Sequence, residues 1–137
     1  MKKVTLFLVV VFCLGLTGCS KDAEINAFIT EFDSTTKDLI SKIDADPSAA
    51  GIDAAQKSYD GKKAALKTKW DAIKGAMGFQ VSADVKKKLE DTVKSNMQSL
   101  MDVSSKHAMT IASDDEAEKK FTKLLTEYQS MFTEEKK

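Results

Sequence analysis

The chain contains no arginine: all 21 basic side chains among its 137 residues are lysines, and 21 acidic side chains balance them. Only arginine offers a rigid planar fork for bidentate binding of phosphate or carboxylate, so that binding mode is excluded. Nucleic-acid binding requires a concentrated basic surface, which a formal net charge of zero does not indicate. We therefore expect no nucleic-acid partner.

Catalytic and metal-binding patterns are also missing from the sequence. The single histidine, His107, excludes a site with two histidine ligands, and no C-x-x-C-H motif is present for covalent haem attachment. There is no glycine-rich phosphate loop and no G-x-S-x-G nucleophile motif. No two carboxylates share an apolar helix face, where raised pKa values would suit acid–base catalysis. We predict no enzymatic activity, no catalytic or metal-binding residue and no cofactor.

The N-terminus carries a clear targeting pattern. Lys2 and Lys3 precede an apolar run at residues 4–16, which small residues follow. This run is shorter than the about 20 residues that a membrane-spanning helix needs. A basic segment, a short apolar segment and small residues together predict a secretory signal peptide.

The predicted signal peptide ends in Leu16-Thr17-Gly18-Cys19, which resembles the lipobox of bacterial lipoproteins. The resemblance implies cleavage between Gly18 and Cys19 and attachment of a lipid anchor, of the palmitate type, to the Cys19 thiol. Cys13 is then lost with the signal, so we expect no disulfide in the mature chain. The predicted parts of the chain are the signal peptide (1–18), the lipidated cysteine with a short tether (19–22) and a helical domain (23–137).

The same resemblance bears on localisation in the cell envelope. In similar lipoproteins of bacteria with two membranes, an aspartate after the lipidated cysteine often signals retention in the inner membrane. Ser20 occupies that position here, which favours the periplasmic face of the outer membrane. In a bacterium with a single membrane, the same signal implies the outer face of the plasma membrane.

Apolar residues recur at three- and four-residue spacing through almost the whole mature chain, which predicts amphipathic helices. Strand-like alternation is nearly absent there, and the short connections between segments favour antiparallel neighbours. We predict an all-α fold, an antiparallel up-down-up-down four-helix bundle with short loops. The four apolar segments lie at residues 25–43, 52–77, 85–111 and 117–132.

Helix-start signals separate these segments. Asp46-Pro47 predicts the start of the second helix, with Asp46 as the cap and the only proline of the chain at the first helical position. Ser82 is predicted to cap the third helix. Ser113 and Glu116 have the spacing of a capping box, which predicts the start of the fourth helix.

A very short tether would hold one end of the bundle close to the membrane. This end includes apolar residues, Phe79 and Val81, followed by Lys86, Lys87 and Lys88. Lysines beside apolar residues attract anionic headgroups, so one interpretation is a membrane contact. The alternative is a solvated helical face, with Phe79 closing the bundle end.

His107 lies on the apolar stripe of the third segment and has two interpretations. The favoured one is a histidine at the edge of the core. The other is an axial haem ligand with a methionine opposite it, as in the cytochrome b562 type of bundle, although the first segment lacks the methionine that this pattern requires. The candidate methionines are Met77, Met97, Met101, Met109 and Met131.

A calcium loop is excluded although its beginning is present. Asp44-x-Asp46-x-Ser48 matches the first ligand positions of an EF-hand. Ala49 stands where the loop requires glycine, and Ala55 stands where it requires glutamate. We expect no calcium site there.

The aromatic residues and methionines fall at helical spacing. For Tyr59, Trp70 and Tyr128 this spacing predicts core packing. For the methionines of the third helix core filling is favoured, and an adaptable groove lined by them is the alternative.

These observations favour a non-enzymatic, lipid-anchored envelope protein that binds another envelope protein. Its role would be that of an adaptor, a structural element, a chaperone-like binder or an inhibitor. The alternative is a carrier of haem or another small molecule in the bundle interior. A continuous exposed patch that includes Ile52, Phe79, Val81 or Met109 would favour protein binding. The sequence indicates neither the partner nor the oligomeric state.

Overall fold

The computed structural model describes residues 21–78 and 80–133, and over these residues its only regular secondary structure is helical. The prediction of an all-α fold is therefore confirmed. The predicted signal peptide, Gly18, Cys19 and Phe79 lie outside the described residues. The helices are α1 (Asp22–Ala45), α2 (Ala49–Lys74), α3 (Ala83–Lys106), α4 (Ala108–Ala112) and α5 (Asp115–Ser130).

The third apolar segment is not one continuous helix as expected. It breaks at His107, whose backbone dihedrals of φ −107° and ψ 14° leave the helical region. Ser104 and Ser105 precede the break, and serine competes with helical hydrogen bonds through its side chain. The short α4 then turns Ile111 into the core, where it is 6% exposed.

Two of the three predicted helix starts are wrong by one or two residues. α2 starts at Ala49 with Ser48 as its cap residue, because the Asp46 carboxylate accepts a hydrogen bond from the Ser48 N–H (3.1 Å) in the turn before the helix. Gly51 lets this turn pack closely, since a Cβ there would lie 1.9 Å from the Asp46 carbonyl oxygen. Asp46 therefore shapes the turn and does not cap α2.

The start of α5 shows the second error. Asp114, and not Ser113, caps α5: its Oδ1 accepts from the N–H groups of Glu116 (2.9 Å) and Ala117 (3.3 Å). The Ser113 hydroxyl instead donates to the Thr110 carbonyl of α4 (2.9 Å). The predicted cap of α3 is confirmed, because Ser82 Oγ accepts from the Val85 N–H.

The helices pack in a chain of pairs. α1 packs against α2 and α3, α2 packs against α5, and α4 connects α3 to α5. The starts of α1 and α3 lie together, where Asp22 Oδ1 accepts from the Ser82 N–H (2.9 Å). The ends of α1 and α3 meet at the other side of the molecule, where Lys106 pairs with Asp44. α3 and α5 are not among the helix pairs that pack closely.

Aromatic side chains fill the core between α1, α2 and α5, as the sequence predicts. Phe28, Phe32, Tyr59 and Tyr128 are fully buried. The Phe32 and Tyr128 rings stack with centroids 5.3 Å apart, and Tyr128 lies 5.9 Å from Tyr59. The Tyr128 hydroxyl is satisfied by the Thr36 hydroxyl at 2.6 Å. This cluster fixes α5 against α1 and α2 and leaves its other flank available.

Candidate functional site: an apolar groove between α3 and α5

An apolar groove of about 650 Å³ lies between α3 on one side and Trp70 of α2 and Phe132, just after α5, on the other; we call it the α3/α5 groove. It exists because α3 packs on α1 while α5 packs on α2, so the two helices face each other without close backbone contact. Its apolar lining consists of Trp70, Met77, Leu89, Val93, Met97, Met101 and Phe132.

The floor of the groove is aromatic and rigid. Trp70 and Phe132 meet edge to face with centroids 5.1 Å apart. Behind them, Phe132 contacts Phe32 (5.2 Å) and Phe28 (6.5 Å) at nearly perpendicular angles. Edge-to-face pairs of this kind stabilise the ring positions. The floor is thus an extension of the core that reaches the surface.

One wall of the groove is a single stripe along α3. Leu89, Val93, Met97 and Met101 follow each other at four-residue spacing, which places them on one helix face. Leu89 is 2% exposed and Met101 is 54% exposed. The wall is therefore buried near the start of α3 and exposed towards Met101, and we call these two ends of the groove its deep end and its shallow end. The deep end is the end of the molecule at which α1 also starts.

The methionines divide between core and surface. Met131, just after α5, is buried, whereas Met97 and Met101 of α3 line the groove. The preference for core filling is wrong for Met101, and the alternative of an adaptable groove describes it. Methionine has an unbranched, polarizable side chain that adjusts to differently shaped apolar ligands. Met109 is 89% exposed on α4, outside the groove.

The rim of the groove carries few charges, and they are of both signs. Glu90, Lys94 and Gln98 line it on the α3 side. On the α5 side, the Gln129 amide nitrogen lies 3.8 Å from the Met97 sulfur, a weak contact that spans the groove. None of the ion pairs found between described residues crosses from α3 to α5. The groove is therefore apolar at its base and electrically neutral at its edge.

Of the four residues whose continuous exposed patch would favour protein binding, the structure describes Ile52, Val81 and Met109. Ile52 is fully buried, and Val81 is partly buried against the core. Of these three residues, only Met109 is strongly exposed. The apolar surface is found instead in the α3/α5 groove. Sequence reasoning offered a methionine-lined groove on α3 only as the alternative to core filling, because the apolar stripe of α3 is wide enough for two rows, one facing α1 and one facing the groove.

The lysines of the predicted membrane contact lie in the first turns of α3, and all three are exposed. Lys87 forms an ion pair with Asp91 (2.8 Å), and this hydrogen bond raises the pKa of Lys87. Lys88 donates to the Asn26 side chain of α1 (2.9 Å). Lys87 and Lys88 thus bond to other side chains of the protein, whereas Lys86 is exposed to solvent.

His107 lies at the end of the molecule opposite the start of α1. Its Nε2 lies 2.7 Å from Asp44 Oδ1, and its side chain is 16% exposed. The same carboxylate accepts from Lys106, and the hydrogen bonds from Lys106 and then His107 lower the pKa of Asp44. His107 therefore fastens the break between α3 and α4 to the end of α1. Within the described ranges, no group of His, Cys, Asp or Glu residues is arranged to hold a metal ion.

Comparison with known proteins gives no matching family, no similar curated protein and no similar solved structure. Among the helices of residues 21–78 and 80–133, none combines the length and the apolar character needed to cross a membrane. Function is therefore argued from the groove and from the N-terminal motif.

Proposed function

We propose that this chain is a lipid-anchored helical envelope protein that acts by binding a partner protein at the membrane surface. The observation that carries the proposal is the α3/α5 groove, with its aromatic floor and methionine wall. Grooves of this kind accept the apolar face of an amphipathic helix. The lipobox at Cys19 supplies the expectation of membrane attachment.

The proposed architecture is an up-down-up-down four-helix bundle in which α4 and α5 together make the fourth member. Contacts between the helices support it, since α1 and α3 share their starting end and Lys63 of α2 pairs with Glu127 of α5. The order around the bundle would be α1, α2, α5 and α3. In this order the groove is the one incompletely closed side, where an additional helix would complete the packing.

The anchor would fix the orientation of the groove. The Lys21 N–H donates to the Gln80 carbonyl (2.9 Å), so the chain is already tied to the domain two residues after Cys19. Two extended residues reach about 7 Å. The deep end of the groove would then face the membrane, and its shallow end at Met101 would face away. A partner helix would lie steeply to the membrane plane.

Site-specific photocrosslinking in living cells tests the proposed partner binding. A photoreactive amino acid at Met101 is expected to capture a discrete partner, because this position lines the groove. The same amino acid at Met109 is the control, because Met109 is exposed but lies outside the groove. Loss of capture from position 101 in a Met97→Glu background would support the site. Equal capture from both positions, or no capture from 101 in membrane-attached protein, would contradict it.

The membrane contact through Phe79, Val81, Lys86, Lys87 and Lys88 is a separate part of the proposal. It predicts that unlipidated Cys19→Ser protein binds anionic vesicles more strongly than neutral ones. Replacing the three lysines with glutamine would remove this preference. Equal binding to both kinds of vesicle would reject the contact and leave the groove proposal standing.

A carrier of small apolar molecules is the second candidate, because about 650 Å³ is within the usual range for ligand sites. A haem carrier with His107 as ligand is the narrower version. Against it, the Nε2 of His107 faces Asp44, away from the groove. An absorbance scan separates these ideas: a Soret band that disappears in His107→Ala would establish haem and displace the protein-binding proposal.

A further inference from the structure

We infer that the acyl chain on Cys19 enters the α3/α5 groove at its deep end and lies along it when the protein is away from a bilayer, and leaves it on membrane insertion. The inference rests on the proposed lipidation of Cys19 and adds a regulation of the proposed binding site. The groove then holds one occupant at a time, its own lipid or a partner helix.

The position of the chain end is the first argument. The Lys21 N–H donates to the Gln80 carbonyl (2.9 Å), and the Gln80 N–H donates to the Ala76 carbonyl (3.1 Å). The next residue, Met77, lines the groove. Cys19 is two residues before Lys21, within about 7 Å of chain length. The lipid attachment point is thereby restricted to the end of the molecule at which the groove is deepest.

The start of α3 supplies the second argument. Asp22 Oδ1 accepts from the Ser82 N–H (2.9 Å), and Ser82 directly precedes α3, so α1 and α3 begin side by side. Leu89, the most buried wall residue of the groove, lies two turns further along α3. Packed helix axes are about 8–10 Å apart. An acyl chain from Cys19 therefore has to pass only one helix to enter the groove.

The chemistry of the groove matches an acyl chain. Its base presents the faces and edges of Trp70 and Phe132, and its wall presents aliphatic and thioether groups, with no charge between them. The wall from Leu89 to Met101 extends about 18 Å along α3. Flexible methionines adapt to a chain of varying conformation. Glu90 and Lys94 stay at the rim, where water satisfies them.

The consequence is a coupling between membrane attachment and partner binding. Away from a bilayer, the lipid fills the groove and blocks a partner helix. On insertion, the bilayer takes up the acyl chain and the groove opens. Because both occupants need the same apolar surface, each lowers the apparent affinity for the other.

Trp70 makes this inference measurable, because it is the only tryptophan of the chain and lines the groove. Bacteria grown with a dibrominated fatty acid would produce lipidated protein whose acyl chains quench tryptophan on contact. Mass spectrometry of the mature protein first establishes the brominated acyl group on Cys19. In detergent-free buffer, most of the Trp70 emission should be lost relative to unbrominated protein. Addition of phosphatidylglycerol vesicles should restore it.

Matched variants localise the effect. Met97→Glu and Met101→Glu place a charge in the groove and should restore Trp70 emission without vesicles, whereas Met109→Glu should leave the quenching unchanged. Circular dichroism verifies folding, and the exposed Met101 offers a second variant if Met97→Glu unfolds the protein. Brominated Trp70→Phe protein mixed with unbrominated protein should give no quenching, since the lipid acts within its own chain.

The outcomes separate the two proposals. A missing acyl group on Cys19 refutes lipidation and this inference together. Unquenched Trp70 in brominated, lipidated protein refutes self-docking alone, and so does quenching in the mixed sample, which would assign the groove to the lipid of a second copy. Quenching that persists in both groove variants places the lipid elsewhere and also overturns the inference.

Discussion

Helix α5 has two flanks, and they differ in kind. Towards α2, Tyr59 and Tyr128 meet with ring centroids 5.9 Å apart, and Lys63 pairs with Glu127 at 3.1 Å. Towards α3, α5 faces Met97 through the weak Gln129 contact, with an open groove beside it. Aromatic packing and ion pairs thus seal the side of α5 that faces α2, which we call the closed flank. The side that faces α3 is left open, and we call it the open flank.

The groove is open because of the residues that lie along it, and not because α5 is an unstable helix. α5 begins with a firm cap at Asp114 and is held by buried Tyr128. On the open flank, Gln129 and Met97 meet in one weak contact, whereas the closed flank has packed tyrosine rings and an ion pair. A surface left apolar within an otherwise sealed domain favours binding.

The largest expected effect comes from truncating the closed flank. Tyr128→Ala removes a fully buried ring and its hydrogen bond with Thr36. We expect it to lower the free energy of unfolding by about 3–5 kcal/mol. Met97→Ala on the open flank should cost about 1 kcal/mol or less, because this side chain is only partly buried. Urea denaturation of the two variants measures the difference, and equal losses would remove the distinction between the flanks.

Alkaline pH should destabilise the closed flank specifically. Burial raises the pKa of Tyr59 to about 12, and it raises the pKa of Tyr128 as well, from the ordinary value of 10.0. The folded protein therefore keeps both protons where the unfolded chain has lost them. Their contribution to stability is complete below pH 10 and declines as the pH rises towards 12 and beyond.

Tyrosinate absorbance follows this titration directly, because the chain has only these two tyrosines. Both should ionise together with unfolding, and Tyr128→Phe should reduce the loss of stability at high pH. A folded protein that forms tyrosinate near pH 10 would show that the closed flank admits water.

A smaller effect is expected at acid pH. The hydrogen bond from Lys63 holds the pKa of Glu127 below its usual 4.5. A lowered pKa means that the pair stabilises the fold above pH 4.5 and that this contribution is lost as the pH falls through the folded value. Glu127→Gln should cost about 0.5 kcal/mol at neutral pH and flatten the acid dependence.

Glu90→Gln is the control on the groove rim. It should change the free energy of unfolding by less than about 0.5 kcal/mol at pH 7, because Glu90 is exposed and lies on the open flank. A larger loss of unfolding free energy for Glu90→Gln than for Glu127→Gln would contradict the conclusion that the closed flank stabilises the fold more than the open flank.

Sequence periodicity predicted the helices well because burial on one face leaves a strong three-four pattern. It also predicted the buried aromatic residues, such as Tyr59 and Tyr128. It did not predict that His107 contacts the Asp44 carboxylate at a break in the helix, because Asp44 lies on a helix distant in the sequence. Nor did it separate Asp114 from Ser113 as the cap of α5, since both have suitable side chains and only the local backbone decides.

The sequence offered the groove only as an alternative to core filling, for a similar reason. Leu100 and Met101 are adjacent on α3, yet Leu100 is fully buried and Met101 is 54% exposed. Which of two neighbouring apolar rows is covered depends on the arrangement of the other helices. The sequence shows a wide apolar stripe, and only the packing of α3 against α1 shows which part of it is left over.

The most direct test of the account closes the groove by a chemical bond. A bis-methanethiosulfonate reagent that links Met97→Cys to Gln129→Cys would bridge two positions whose native side chains meet across the groove at 3.8 Å. The account predicts that the cross-linked double variant keeps its helical structure but loses partner capture from position 101, and that reductive release of the cross-link restores capture. Undiminished capture by the closed form would contradict the assignment of the α3/α5 groove as the binding site.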